Sequence, residues 1–308
     1  MDKVLFNYSI IIPHHNLPVL LERCLQSIPR RDDLQIIVVD DNSDESCKRQ
    51  LKGIEVSFPY VELVYMDQNG GGGKARNIGL EHAKGDYVLF ADADDYFNPC
   101  LNSILNDYIE ETADMVFFAA NSVDTDTYQK SDRGDYYSNV VNSFNGKDDF
   151  NLRYCFGVPW SRLVRREFLA SNNIRFQETI RHNDVGFATF AGYYAKTIKT
   201  DNRAIYCVTT RKNSVSTNVS LDAMKAGIYV YVNKYFFLKS KGISSPYPDY
   251  VSNAMMRFRK DKESFKECVR YAKEMGLSSK EIKIHYYPYL IESCLRWIKN
   301  KAFRLKMI

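Results

Sequence analysis

Asp92-Ala93-Asp94-Asp95 places three carboxylates within four residues, directly after the apolar run Tyr87-Val88-Leu89-Phe90-Ala91. Burying carboxylates costs free energy unless protons, donors or a cation meet them. Two aspartates spaced i, i+2 on an extended tip face one side and can share one hard divalent ion. Mg²⁺ suits that arrangement, because it keeps several waters and takes one or two carboxylates plus phosphate oxygens. The same residues would also serve as a helix N-cap and solvated turn ahead of Pro99. Other stretches carry chemistry as well. Asp40-Asp41-Asn42-Ser43 can cap a following helix or accept a hydrogen bond from a base or ribose. Asp184, after Arg181-His182-Asn183, reads either as an N-cap or as a general base.

The glycine run Gly70-Gly71-Gly72-Gly73 precedes Lys74 and Arg76. It fails the phosphate-binding GxxxxGK[ST] pattern twice, since Gln68 holds the first glycine position and Ala75 the last. Gly70-x-Gly72-x-x-Ala75 imitates a dinucleotide fingerprint, but in the third strand–helix unit, whereas that fingerprint belongs in the first. A third reading is a loop that delivers Lys74 and Arg76 to an anion, helped by a helix N-terminus.

The elements that must position these residues follow from apolar patterning. Ser9–Ile12, Ile36–Val39, Val61–Met66, Tyr87–Ala91 and Met115–Phe118 are apolar or nearly so throughout and read as buried strands. Helices are expected at Leu17–Ile28, Glu45–Leu51, from Lys74, and from Pro99 to Thr112. Such alternation predicts an α/β fold, a mostly parallel sheet covered by helices on both faces. Ligands of such sheets lie beyond the carboxyl ends of the strands. There the polar tips collect: His14, His15 and Asn16; Asp40 and Asp41; the glycine run with Arg76 and Asn77; Asp92 and Asp94. That is a nucleotide-type binding face. Residues 120–150 turn polar and read as a long, mobile surface segment. A helix is expected over Arg166–Ser171, another over Val185–Ala195, a strand over Ala204–Thr210, and helices from Leu221 onward.

Composition narrows the function class. The 308 residues are 45% hydrophobic and 26% charged, as in an ordinary globule, and the net charge of +4 gives no support to nucleic-acid binding. The seven cysteines are odd in number and form no CxxC pair, which argues against a disulfide framework or zinc cluster and for a reducing cytosol. No signal peptide is visible, and no uncharged stretch approaches the roughly 20 residues of a membrane span. The expected location is cytoplasmic. Leu295–Lys306 mixes apolar and basic residues at helical spacing; such a segment could rest on the inner face of an anionic membrane or pack on the body with a solvated basic face.

Taken together, Ser9-Ile10-Ile11-Ile12-Pro13-x-x-Asn16, Val38-Val39-Asp40-Asp41-Asn42-Ser43, Asn69-x-Gly71 with Ala75-Arg76-Asn77-x-Gly79, and Gly85-Asp86-Tyr87-x-x-Phe90-x-Asp92-Ala93-Asp94-Asp95 resemble family 2 glycosyltransferases in order and spacing. The resemblance is strong over residues 7–120 and weaker through Trp160-Ser161-Arg162-Leu163 and Asn183-Asp184 to Arg211 and Ser214. It implies a GT-A, Rossmann-like fold with a C-terminal helical region: residues 1–120 as the nucleotide-sugar half, 121–220 as the acceptor half and 221–308 as a helical extension. It further implies a UDP-sugar donor, an acceptor saccharide, free or lipid-linked, and an inverting transfer in bacterial cell-surface polysaccharide or lipopolysaccharide assembly. Pro13, Asn16, Asp40, Asp41, Lys74, Arg76, Asp92, Ala93, Asp94 and Arg211 would surround the donor, with Asp40 or Asp41 on the uracil and Arg76 near the base or diphosphate. Asp92 and Asp94 would form the DxD motif, with Asp94, and Asp92 toward ribose or metal, binding Mn²⁺ or Mg²⁺. Asp184 would be the catalytic base. Asn183 stands where the family has Glu, and two histidines follow Pro13 where apolar residues or Tyr are commoner. Two rival readings are a non-catalytic nucleotide-sugar-binding relic and an NAD-dependent oxidoreductase, the latter disfavoured by the misplaced glycines.

Overall fold

The computed structural model describes residues 6–147, 149–210, 220–244, 248–288, 290 and 291. Arg211, Ser214 and the basic segment 295–306 lie outside the described residues. The chain forms two compact units. One holds the described residues up to Thr179 together with those from Gly186 to Thr210. The other holds Ile180–Val185 together with the described residues from Ser220 onward.

The first unit begins with β1 (Tyr8–His14), α1 (Pro18–Gln26), β2 (Leu34–Asp40), α2 (Glu45–Ser57), β3 (Val61–Tyr65), α3 (Gly71–His82) and β4 (Tyr87–Phe90). Strands β3, β2, β1 and β4 lie side by side in that order, all parallel. Alternate residues of the apolar runs feed two cores. Ile10, Ile12, Ile36, Val38 and Leu89 pack under Leu21 and Leu25 of α1 on one face, while Ile11, Ile37, Val39 and Phe90 pack under Ala75 and Leu80 of α3 on the other. Burial on both faces is why these strands carry no polar alternation. Pro18 starts α1, and the Asp44 carboxylate caps α2 by accepting from the Cys47 amide at 2.8 Å. Gly79 lets α3 approach the sheet, since a Cβ there would stand 2.3 Å from Ile11 Cγ2.

The chain continues through β5 (Tyr96–Phe97), α4 (Leu101–Asp107), β6 (Met115–Asp124), α5 (Asp135–Asn142), α6 (Phe150–Tyr154), β7 (Arg162–Arg165), α7 (Arg166–Ser171), α8 (Asn183–Tyr194) and β8 (Ile198–Thr210). Among the described residues the sheet has eight strands, in the order β3-β2-β1-β4-β7-β6-β8-β5. β7 is antiparallel to both β4 and β6, an insertion that its short Arg-Leu-Val-Arg sequence does not announce. Residues 120–150 differ from the mobile segment expected. β6 runs on to Asp124 beside β8, and α5 buries Val140 and Val141. Tyr137 of α5 packs edge-on against Trp160 at 4.6 Å and Phe156 at 5.0 Å, so a few aromatic contacts anchor an otherwise polar stretch. β8 likewise begins at Ile198, not Ala204, because its polar first half pairs with β6.

The second unit contains α9 (Leu221–Ser240), α10 (Asp249–Arg257) and α11 (Lys262–Glu274) around Met224, Ile228, Val232, Val251, Ala254, Met255 and Cys268. Among the described residues no helix is long and apolar enough to cross a membrane.

Candidate functional site

Because β1, β2 and β4 are adjacent and parallel, their carboxyl ends open on one edge, and the sequence continues there into the polar tips. At the β1 and β2 tips the groups lock one another. Asp40 is fully buried; its carboxylate accepts from His14 Nδ1 at 2.8 Å, the Ser43 amide at 3.0 Å and the Ser43 hydroxyl at 2.5 Å. Burial works against its charge, but these donors outweigh it and hold the carboxyl below the usual range. His14 Nε2 accepts from the Leu17 amide at 3.1 Å, which leaves Nδ1 to carry the proton toward Asp40. Asn16, at φ +54°, accepts from the Asp44 amide at 2.9 Å, and its own amide donates to Ser43 at 2.8 Å. Asp40 thus positions the tip from below. Asp41 is left as the outer carboxylate of the pair.

Asp41 does not cap α2. Its Oδ1 and Oδ2 accept from the amides of Gly70 at 2.6 Å and Gly71 at 2.8 Å, at the start of α3. Gly71 sits at φ +82°, a left-handed conformation that suits glycine. The positive end of α3 therefore holds a carboxylate of its own chain. Lys74, one turn on, lies over Gly70, where an added Cβ would be 2.5 Å from its Cδ.

The β4 tip carries the acidic cluster. Oxygens of Asp92, Asp94 and Asp95 all lie within 4.8 Å of one another, the first two half-buried and the third buried. Arg76 reaches from α3 to Asp92 Oδ1 at 2.5 Å and stands over the Phe176 ring at 5.4 Å. Asn77 fixes that ring's segment, bonding the Phe176 carbonyl at 3.0 Å and its amide at 2.8 Å. The peptide oxygen of Asp94 accepts from Arg23 of α1 at 2.5 Å and from the Thr209 hydroxyl at 2.6 Å. Below them, Asp95 accepts from the Thr209 amide at 2.7 Å and from the Tyr206 hydroxyl, which itself accepts from the Asp92 amide at 2.8 Å. Trp160 stacks on Tyr206 at 5.4 Å, which gives the Trp160-Ser161-Arg162-Leu163 stretch its place behind the cluster. Burial first, and then the charges of Asp94 and Asp92, push the Asp95 carboxyl well above the ordinary carboxylate range. A divalent cation held there would offset that repulsion, so this donor set fits a hard, oxygen-seeking ion.

The structure thus brings Pro13, Asn16, Asp40, Asp41, Lys74, Arg76, Asp92, Ala93 and Asp94 to one edge of the sheet. Asp184 lies in the first turn of α8, within the Ile180–Val185 stretch that groups with the helical unit. Arg211 falls outside the described residues. Asp95 was legible as a third carboxylate, but not its burial. Arg23, Tyr206 and Thr209 carry no local signal, since they reach the cluster from a helix and a strand far away in sequence.

The chain is similar to several known proteins. The chain is 27% identical over 218 residues to the uncharacterized glycosyltransferase YibD of Escherichia coli K12, a match that covers 68% of this chain and spans 62% of YibD. It is 24% identical over 194 residues to the poly(ribitol-phosphate) beta-N-acetylglucosaminyltransferase TarS of Staphylococcus aureus, covering 61% of this chain and 33% of TarS. The structure of TarS residues 1–349 with UDP-GlcNAc superposes with a TM-score of 0.62 at 18% identity, over 85% of this chain and 79% of that one. A mannosyltransferase of Pyrobaculum calidifontis, solved with GDP-Man and Mn²⁺, gives 0.53 at 17% identity, over 92% and 80%. These likenesses bear out the GT-A fold that the family resemblance implies. The description "Glycosyl transferase family 2" matches residues 9–171, more than half of the chain, and the chain belongs to that family.

Proposed function

We propose that this chain transfers a sugar from a UDP-sugar to an acceptor hydroxyl with inversion at the anomeric carbon. The observation that carries the reading is the Asp92, Asp94 and Asp95 cluster at the carboxyl edge of the sheet, braced by Arg76 and Arg23. UDP-GlcNAc in TarS and GDP-Man with Mn²⁺ in the mannosyltransferase support a nucleotide-sugar donor. Asp41, Asn16 and Pro13 line the nucleoside end, with Asp40 fixing them. Arg76, Lys74 and Arg211 supply positive charge toward the diphosphate. Asp92 and Asp94, with Asp95 beneath, hold Mn²⁺ or Mg²⁺. When bound, that ion neutralises charge on the leaving diphosphate, an effect worth several kcal/mol. Asp184 takes the proton of the acceptor hydroxyl. The oxygen forms a bond to the anomeric carbon as the bond to the diphosphate breaks, and UDP leaves with the electron pair. A positioned base contributes on the order of 10²–10⁴ in rate.

Residues 1–120 serve the donor in this reading, and 121–220 the acceptor. Residues 221–308 form an extension whose basic end, 295–306, meets an anionic membrane surface. The acceptor is a saccharide, free or lipid-linked, in bacterial cell-surface polysaccharide assembly at the cytoplasmic face. Calorimetry of UDP with and without Mn²⁺, on wild type and Asp94→Ala, tests the donor site. Tight binding that needs both the metal and Asp94 is the expected result. Metal-independent binding overturns the metal role, and absence of UDP binding overturns the donor. Binding without turnover of any UDP-sugar would favour a non-catalytic relic, consistent with Asn183 in place of Glu.

A further inference from the structure

Ile180–Val185 holds its neighbours in an unusual way. His182 sits at φ +58°, a left-handed conformation uncommon for a non-glycine residue. Its ring meets two tyrosines of the helical unit edge-on, Tyr250 at 4.8 Å and 80° and Tyr231 at 5.3 Å and 73°. Those two rings stack on each other at 5.0 Å and 8°. The stack is seated by α9. Met224, Gly227 and Tyr231 lie on one helical face; the Tyr250 hydroxyl is 3.7 Å from the Met224 sulfur, and a Cβ at Gly227 would stand 2.0 Å from Tyr250 Cε1. Any side chain at Gly227 would displace the Tyr250 ring. His182 Nε2 is buried and meets no hydrogen-bond partner among the described residues, so the imidazole works here through its faces and edges. Burial, then the Arg181 charge, lowers its pKa to about 4, which keeps the ring neutral near neutral pH.

We propose that His182, clamped by Tyr231 and Tyr250, is the positioning residue for Asp184. The clamp makes α9 and α10 part of the catalytic apparatus through the two-residue step from His182 to Asp184. The inference rests on the reading of Asp184 as the base. It gives the helical unit a task besides the membrane contact of its basic end, since that unit includes Ile180–Val185, the segment on which the base stands. The physical basis is that a general base works only within hydrogen-bond reach of its proton. Displacing a reacting group by about 1 Å costs on the order of 10²-fold in rate.

The test compares Asp184→Asn, His182→Ala, His182→Phe, Gly227→Val and the double variant Asp184→Asn/His182→Ala in the full-length chain. UDP release is followed with UDP-glucose, UDP-galactose and their N-acetyl forms, and UDP affinity by calorimetry. Hydrogen exchange is measured over residues 178–188. His182→Ala and Gly227→Val should lower kcat about 10- to 100-fold, leave UDP affinity unchanged and speed exchange in that segment alone. His182→Phe, which keeps a ring against the tyrosines, should restore most of kcat. The double variant should be no slower than Asp184→Asn, because a misplaced base that is already absent costs nothing more. A fully active Asp184→Asn overturns the base reading. An Asp184→Asn that loses turnover beside an unimpaired His182→Ala overturns the clamp alone. Additive losses, or a fall in UDP affinity, overturn it too. Should no donor turn over, unchanged exchange in His182→Ala still refutes the clamp.

Discussion

The contact between Asp41 and the start of α3 makes a quantitative prediction. Asp41 is 4% exposed and its two oxygens take the Gly70 and Gly71 amides at 2.6 and 2.8 Å. Hydrogen bonds to a charged group contribute about 1.5–3 kcal/mol each, and removing the acceptor leaves buried donors without a partner. Asp41→Ala should therefore destabilise the sheet unit by about 3–6 kcal/mol. For a unit of this size, that corresponds to a fall in Tm of roughly 6–24 °C. Asp41→Asn keeps one oxygen acceptor and should lose about half as much. Urea unfolding followed by Trp160 fluorescence, in a Trp297→Phe background, reads the transition, because Trp160 is buried in that unit. If Asp41→Ala unfolds within about 1 kcal/mol of wild type, the bridge between the β2 tip and α3 is not stabilising and the argument fails. An Asp41→Asn that keeps its stability but loses UDP binding would refute the stabilising role of the bridge and leave the proposed role at the nucleoside end.

Two further results follow from the same network. Tyr206→Phe removes the hydroxyl that joins the Asp92 amide to Asp95, and should cost about 1–3 kcal/mol by urea unfolding while weakening Mn²⁺-dependent UDP binding; unchanged metal dependence would refute the support role. Asp40 has a folded pKa below its unfolded value, so its contribution is present above about pH 4 and is lost as pH falls through the folded value. Asp40→Asn should start less stable and show a shallower fall in urea midpoint between about pH 5 and 3, whereas a slope equal to wild type would show that Asp40 does not titrate with unfolding.

Much of this molecule was readable from residue order alone. A strand buried on both faces must be apolar throughout, so the runs at Ile10, Ile36, Val88 and Phe117 marked a covered sheet. Their parallel direction followed from the helices between them, and with it the gathering of Asn16, Asp41 and Asp92 at one edge. Family membership was legible too, because loop residues at strand ends keep a fixed spacing when the strands they follow are fixed. What tertiary structure alone decided are contacts between residues far apart in sequence. β7 enters between β4 and β6 because pairing of Arg162–Arg165 depends on partners at 87–88 and 115–117, not on its own short sequence. Asp41 turns to the α3 amides and leaves the α2 cap to Asp44, because the β2 tip and the glycine run meet across the sheet edge. Tyr206 and Thr209 complete the shell of Asp95 from more than 110 residues away. His182 finds its partners in α9 and α10. Apolar period reports which face of an element is buried; it holds no information about which distant polar group will meet which, and at this site those meetings set the charge.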